Sequence, residues 1–439
     1  MRLIQAFLRS AVYERRFLAK NPWDLAMVIF IPLIAAFMIW WIFSQTQITN
    51  LPIGVIDNDH SPTAGTLLRY LEASPDLKVA HTYHSPAAAE AAILQRDIYG
   101  VVTIPKNFER DILSGKPSPI ILQVNAQYGT HSGNIKKGVQ SVAATLSAGV
   151  EIQRLVKQGM APTQAAIAAS PIGIQRVGLF NAATNYQQFL ASTIIPALLH
   201  ILAMVVGATT IGRELRDKQI GRWYRFIDTD NQNSKNYDST LSNKTLVNTK
   251  TSDLQAFNQS NDKTDDQLKA PERVSLLVLL FGLTGKYFWP ILAYSLWSIL
   301  AIWLATHQHS IAFSSIVITY ICLVVLMILS FWLGAIFTLT SYSLRAGLSS
   351  TGFISAPSYA FAGITFPYIA IRDSAKYWAD ALPLTHYLKL HLAQLQMKAP
   401  IIVSLPIVYG LIVATIIAGL LAVLLTKRAL AHPERWGAR

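Results

Sequence analysis

The sequence predicts an α-helical polytopic membrane protein with six transmembrane helices and an inserted α/β extracytoplasmic domain between helices 1 and 2. Three observations carry this. Hydrophobic residues make up 52% of the 439 and charged residues only 14%, a balance that a soluble chain of this length could not keep in water. Six stretches are apolar over the roughly 20 residues needed to cross a hydrocarbon core about 30 Å thick. Between the first two lie about 140 residues patterned as alternating strands and helices, far more than a connecting loop.

Residues 1–24 set Leu3, Ile4, Phe7, Leu8, Ala11, Val12 and Phe17 against Arg9, Arg15 and Arg16 at a helical period. This predicts a cytoplasmic amphipathic helix, lying in the membrane interface or packed on the bundle. The first span, residues 25–44, is too long for a signal peptide and lacks a small-residue cleavage site. With Trp23 at one end and Trp40 and Trp41 at the other, it reads as a retained helix with interfacial anchors. The other spans are expected near residues 189–211, 287–305, 311–339, 346–364 and 401–425. Six crossings leave both termini on one side. Arg2, Arg9, Arg15, Arg16 and Lys20, then Arg213, Arg216, Lys218, Arg222 and Arg225, then Lys427, Arg428, Arg435 and Arg439 all fall on that side. The excess of cations makes it cytoplasmic. One outer loop runs against the rule, with Arg372, Lys376, Lys389 and Lys398.

The intervening domain, residues 45–188, repeats one local grammar. Ile53 to Ile56 reads as a strand ending in Asp57-Asn58-Asp59, after which Ser61-Pro62 opens a helix through Leu67, Leu68 and Leu71. Leu77 to Tyr83 is a second strand, and Ser85-Pro86 opens an Ala-rich helix. Gly100 to Ile104 and Ile120 to Val124 are further strands, and a long helix is expected from about Gly133 to Lys157. Alternation of this kind predicts a small mixed sheet covered by helices. Asp57, Asp59 and His60 could be argued into a metal site, but an Asx-type turn before a helix cap explains the same residues.

Residues 212–225 form a densely charged cytoplasmic segment continuous with the second span. By composition alone it is either a stop-transfer cluster or a rigid element able to transmit force. Residues 226–270 turn to Asn, Asp, Ser, Thr, Lys and Gln without apolar periodicity, which predicts a disordered polar cytoplasmic insertion. Structure is expected to resume at 271–425 with an interfacial lead-in, Val274 to Leu283, and helices 3 to 6, followed by a cytoplasmic tail at 426–439.

Motifs for chemistry are sparse. Gly285-Lys286 fails as a phosphate loop, because Leu280 stands where the earlier glycine belongs and Tyr287 where Ser or Thr would bind magnesium. The single cysteine, Cys322, excludes a disulfide framework and a cysteine metal site. The net charge of +13 gathers beside apolar spans rather than in a stripe with aromatics, which argues for a lipid bilayer and against nucleic acid. His200, within the second span, is the clear intramembrane ionisable group; it faces either a substrate path or a neighbouring helix. A membrane hydrolase built on His200 would need a nucleophile that no spacing selects.

Three stretches together carry a family resemblance. They are Ile53-Gly-Val-Ile-Asp-Asn-Asp-His-Ser61 with Gly100-Val-Val-Thr-Ile-Pro-Lys-Asn-Phe-Glu-Arg110, then Asn185-Tyr-Gln-Gln-Phe189 leading to Gly212-Arg-Glu-Leu-Arg216, then Gly363-Ile-Thr-Phe-Pro367 with Leu382-Pro-Leu-Thr385. In order and spacing the chain resembles the type 2 membrane-domain family of ATP-binding-cassette (ABC) transporter permeases, six-span exporter subunits with a large extracytoplasmic domain. The resemblance implies a separate ABC ATPase carrying ATP and magnesium, no cofactor on this chain and no enzymatic activity of its own. It also implies a second permease subunit, in a homo- or heterodimer, a periplasmic adaptor, and a multi-pass place in the cytoplasmic (inner) membrane of a bacterium. ATPase coupling would then fall to Gly212, Arg213, Glu214, Leu215, Arg216, Gly221 and Trp223 with Arg9, Arg15 and Arg16. A substrate path would pass His200, Phe331, Trp332, Phe366 and Pro367. The alternative is a membrane receptor or assembly factor whose extracytoplasmic domain senses a ligand.

Overall fold

The computed structural model describes residues 2–170, 177–228 and 274–437, so the expected polar insertion lies, beyond Asp228, outside the described residues. The chain divides into two compact units, Gln45–Ala183 and the residues up to Ser44 together with those from Thr184 onward.

Helix α1 (Arg2–Lys20) buries Ala6, Ser10, Ala11, Glu14 and Leu18, a three- or four-residue recurrence that makes one continuous face. Asn21 and Pro22 then restart the chain as α2 (Pro22–Val28), with proline in the first turn, where its missing N–H is not needed. Next comes α3 (Phe30–Ile42), bent 42° from α2. The first span, expected as one helix, is therefore broken at Ile29. The last carbonyls of α2 are served by side chains instead: the Tyr294 hydroxyl donates to Met27 O at 3.2 Å and the Trp297 indole to Val28 O at 3.0 Å. Such donors are required wherever lipid, which has none, surrounds a helix end.

The unit Gln45–Ala183 holds a four-stranded sheet of order β2-β1-β3-β4, with β1 (Leu51–Asp57), β2 (Leu77–Thr82), β3 (Gly100–Ile104) and β4 (Ile121–Val124). β1 runs parallel to β2 and β3, and β4 is antiparallel to β3, with Gly100 opposite Val124. Strand alternation sends Ile53, Val55, Val102 and Ile104 to a face covered by α4 (Pro62–Glu72), α6 (Phe108–Leu113) and α7 (Gly129–Lys157). It sends Ile56 and Val101 to the opposite face, under Ala89 of α5 (Pro86–Gln95). Short α8 (Pro162–Ala169) follows. Ser61 and Ser85 cap α4 and α5 by accepting from Ala64 N and Ala88 N.

Asp59 is the tie between the β1 turn and α6. Its two carboxylate oxygens accept from Phe108 N and Glu109 N, each at 3.0 Å, satisfying two otherwise orphaned amides at the start of the helix. The Ser61 hydroxyl first, and then these amides, hold its carboxyl below the usual value. A depressed carboxylate contributes stability that is fully present above the unfolded value of about 3.9 and is lost as pH falls through the folded one. Asp59→Ala is expected to cost this unit about 1 kcal/mol and to flatten its acid-side stability profile below about pH 4. Chemical denaturation of the full chain, followed by a fluorophore placed in this unit, checks both. An unchanged acid limb would remove Asp59 from this role.

In the second unit a π-helical turn, Gln187–Ala191, leads into α9 (Ser192–Arg216), which is followed by α10 (Ile220–Asp228). Then come α11 (Leu276–Thr306), α12 (Phe313–Ser341), α13 (Leu344–Ser355), α14 (Ser358–Phe361), α15 (Asp373–Ala381), α16 (Pro383–His391) and α17 (Leu405–Ala431). Among the described residues, four helices are long and apolar enough to cross a membrane, or five when the bent α2–α3 counts as one. The molecule is thus a multi-pass helical membrane protein. Two expectations are corrected. Residues 346–364 do not make one continuous span: α13 has 12 residues, about 18 Å, and ends before Pro357, which has no N–H to continue the ladder. The expected interfacial lead-in, Val274 to Leu283, is not separate from the third span, because α11 runs unbroken from Leu276.

Helices α9 and α12 cross at glycines. A Cβ on Gly207 would lie 2.7 Å from Phe331 Cα, and one on Gly334 would collide with Met204 O and sit 2.7 Å from Ala208 N. Lipid supplies no hydrophobic drive for helix association, so backbone proximity at small residues does that work.

Candidate functional site

At the end of α9 the apolar run gives way to Arg213 and Glu214, and the fold buries both. Their side chains are no more than 5% exposed, while Glu14 of α1 and Lys286 of α11 are fully buried. The four interlock. The Lys286 ammonium lies 2.7 Å from Glu214 Oε1, as a hydrogen bond, and 3.3 Å from Glu14 Oε2, as a contact of charge rather than an aligned bond. The Arg213 guanidinium donates to Glu14 Oε1 through Nη2 and reaches Asp24 Oδ1 through Nη1 at 3.3 Å. Aromatic faces close the cage: Phe17 stacks 3.8 Å from the Arg213 guanidinium carbon, and Lys286 lies 4.8 Å from the Tyr13 ring and 5.5 Å from that of Trp223. Cations are held well by such faces when water is excluded.

The neighbouring polar groups are positioned to match. The Tyr13 hydroxyl approaches Glu214 Oε2 at 3.4 Å. Burial first, and the Glu214 carboxylate next, push this phenol above its ordinary value, so it stays protonated and able to donate. The Trp223 indole of α10 donates to Ser10 Oγ of α1 at 3.0 Å, and the Trp289 indole of α11 to Ala11 O at 3.0 Å. Gly285 allows this approach, because a Cβ there would sit 2.9 Å from Phe7 C on α1. Three carboxylates, Glu14, Asp24 and Glu214, thus share two cations, Arg213 and Lys286. The lattice binds α1, α2, α9 and α11 into one body, with α10 attached through Trp223. It offers no nucleophile, and no group of three or more His, Cys, Asp or Glu able to hold a metal occurs among the described residues. Its physical consequence is cohesion of the helices that carry it. Separating α1 from the bundle would strand charges in a low-dielectric interior, a cost of several kcal/mol per ion.

The residues expected to face an ATPase fall into two sets. Arg216, Arg15 and Arg16 are exposed and Arg9 is half-buried, whereas Gly212, Arg213, Glu214, Leu215, Gly221 and Trp223 are buried. A partner cannot touch this second set while the chain keeps this fold; these residues hold the surface ones in place. The cause is local. α10 turns its Ile220, Trp223, Tyr224 and Ile227 face back into the core, drawing the segment inward. Tyr224 then donates to Asp228 and accepts from Ser275 N, and burial above all pushes its phenol up to about 12.

Of the residues expected along a substrate path, His200 is buried with Nδ1 2.7 Å from Ser330 Oγ. The Ser330 hydroxyl itself donates to Leu326 O at 2.6 Å, so the histidine nitrogen is the donor and the contact joins α9 to α12. Phe331 packs 5.2 Å from Tyr294, and Trp332 5.2 Å from Tyr287, filling the space between helices. Phe366 and Pro367 are exposed. Sequence reasoning missed Glu14 and Lys286. The available signal was that Lys286 stands inside one uninterrupted apolar helix, which splitting Val274–Leu283 from the third span concealed.

A family model described as ABC-2 family transporter protein matches residues 22–226. No curated protein and no solved structure matches the chain. The matched segment contains Asp24, Arg213 and Glu214, and their ionic partners Glu14 and Lys286 lie on either side of it.

Proposed function

We propose, from the premise that this chain belongs through residues 22–226 to the ABC-2 transporter family, that it is the permease subunit of an exporter driven by a separate ABC ATPase. The ATPase supplies ATP and magnesium; this chain, whose sequence lacks a phosphate loop, supplies the membrane pathway together with a second permease subunit. Substrate moves outward across the inner membrane of a bacterium. Both termini and the α9–α10 junction are cytoplasmic, and the unit Gln45–Ala183 lies outside, where it docks an adaptor or gates release. A sixth crossing is completed by α13 and α14 as a broken span.

The observation that supports this reading most is the buried ionic lattice. A stroke delivered to the cytoplasmic end must reach the spans without dissipating in a loop. The lattice couples α1 and the charged end of α9 to α11, so exposed Arg15, Arg16 and Arg216 move with the bundle. Among the described residues Arg216 is hydrogen-bonded to Asp217, at 2.8 and 3.0 Å, an exposed pair worth little to stability, which makes it a clean probe. The variant R216E, co-expressed with an ABC ATPase that co-purifies with the wild-type chain, is expected to keep the wild-type unfolding temperature. Its co-purification with that ATPase should fall at least about tenfold, the equivalent of about 1.4 kcal/mol. Undiminished co-purification would place the ATPase contact elsewhere.

A further inference from the structure

A narrow apolar groove of about 320 Å³ runs along the flank of the helical unit where α1, the α2–α3 bend and α11 meet. Leu18 and Ala19 form one wall, Val28 and Ile29 a second, and Leu292 and Leu296 the third. Leu292 and Leu296 are 43% and 54% exposed and stand four residues apart on one helix face. The groove therefore opens sideways, toward the bilayer, rather than into the bundle. From Trp289 to Leu296 its lining extends about 10 Å along α11.

The mouth has different chemistry. Arg15 lines it, is exposed, and makes no hydrogen bond or ion pair among the described residues. Lys20, also exposed, follows Ala19 at the same end of α1, and Trp23 of α2 is exposed beside it. Exposed tryptophan and cations at one level are the signature of the headgroup region. A cation without a partner above a carbon-lined slot is complementary to a molecule with an anionic head and a long apolar tail.

We propose that this groove seats one acyl chain of an anionic glycerophospholipid of the bilayer, with its phosphate at Arg15. The lipid braces two movable parts at once: α1, which carries Glu14 one residue before Arg15, and the bend at Ile29. Anionic lipid content thereby sets how firmly α1 is seated. The site depends on membrane embedding alone and stands whether or not the chain exports a substrate.

The test uses the full chain reconstituted in vesicles of equal parts phosphatidylglycerol and phosphatidylcholine, extracted in mild detergent, with retained lipid read by intact-protein mass spectrometry. The wild type is expected to keep one phosphatidylglycerol per chain, preferred over phosphatidylcholine by about fivefold, the contribution of one cation near the membrane surface. Arg15→Gln should abolish the preference while leaving the unfolding temperature unchanged. Ala293→Phe, which fills the groove, should lose both lipids. Equal retention of the two lipids by the wild type, or a preference unaltered in R15Q, overturns the proposal. So does full retention in A293F, and because R15Q alters only an exposed side chain, its result holds even where A293F proves unstable.

Discussion

Replacing Lys286 by methionine is expected to be the most damaging single change in the protein. Its ammonium is the shared counter-charge of Glu214 at 2.7 Å and Glu14 at 3.3 Å, and all three groups are buried. Methionine fills a similar volume, so the loss is electrostatic rather than steric. Removing one partner of a buried ionic group leaves uncompensated charge and costs about 3–5 kcal/mol. Transport should stop with it, because α1 would no longer be clamped to α11. A second variant separates charge from fold: K286M combined with Glu14→Gln removes one cation and one carboxylate together and should recover at least about 1 kcal/mol, as expected for directly coupled residues. Thermal unfolding of the purified variants supplies the measurement. A K286M protein that melts at the wild-type temperature would show that the lattice holds nothing. The same geometry means that Glu214→Ala is a stability variant, whereas Arg216 alone can be altered without disturbing the interior.

The second large effect is expected for Gly334→Val, through sterics rather than charge. Its side chain would enter the backbone of α9 at Met204 O and Ala208 N. Neither helix can yield locally, so the pair must separate. That separation would also break the His200–Ser330 hydrogen bond, which joins the same two helices. Overpacking costs about 1–3 kcal/mol in a tolerant core and more where backbone meets backbone. The variant should lose its compact species on size exclusion and become sensitive to protease. Gly352→Val is the matched control, since a Cβ at Gly352 meets nothing within 4 Å. Equal yields of the two variants would dismiss the close crossing.

Much of the local structure was legible because its causes are local. Ser61-Pro62 and Ser85-Pro86 open helices, since a capping hydroxyl and a preset φ act within one turn. The short apolar runs Ile53 to Ile56 and Gly100 to Ile104, ended by turn residues and by Pro105, mark strands because turn residues and proline stop the pairing ladder locally. The site was much less legible. Gly285-Lys286 could be read only as a failed phosphate loop, yet the glycine admits α1 and the lysine neutralises two carboxylates. For His200 the sequence left both a substrate path and a helix contact open, and Ser330, 130 residues away, holds it between two helices. The continuity of the first and fifth spans was misjudged for a related reason: apolarity reports that a segment is buried in lipid or protein, not that its helix is unbroken.

By itself the sequence determined that the chain belongs in a membrane and that an α/β unit interrupts its apolar helices. These follow from transfer free energy and short-range backbone geometry, which depend on residues within a turn or two. Only the tertiary structure decided which charges are buried and with whom. Lys286 meets Glu214 across 72 positions, and Arg213 meets Glu14 across 199. A buried charge is tolerable only when its partner arrives from elsewhere in the fold. No local pattern records that partner.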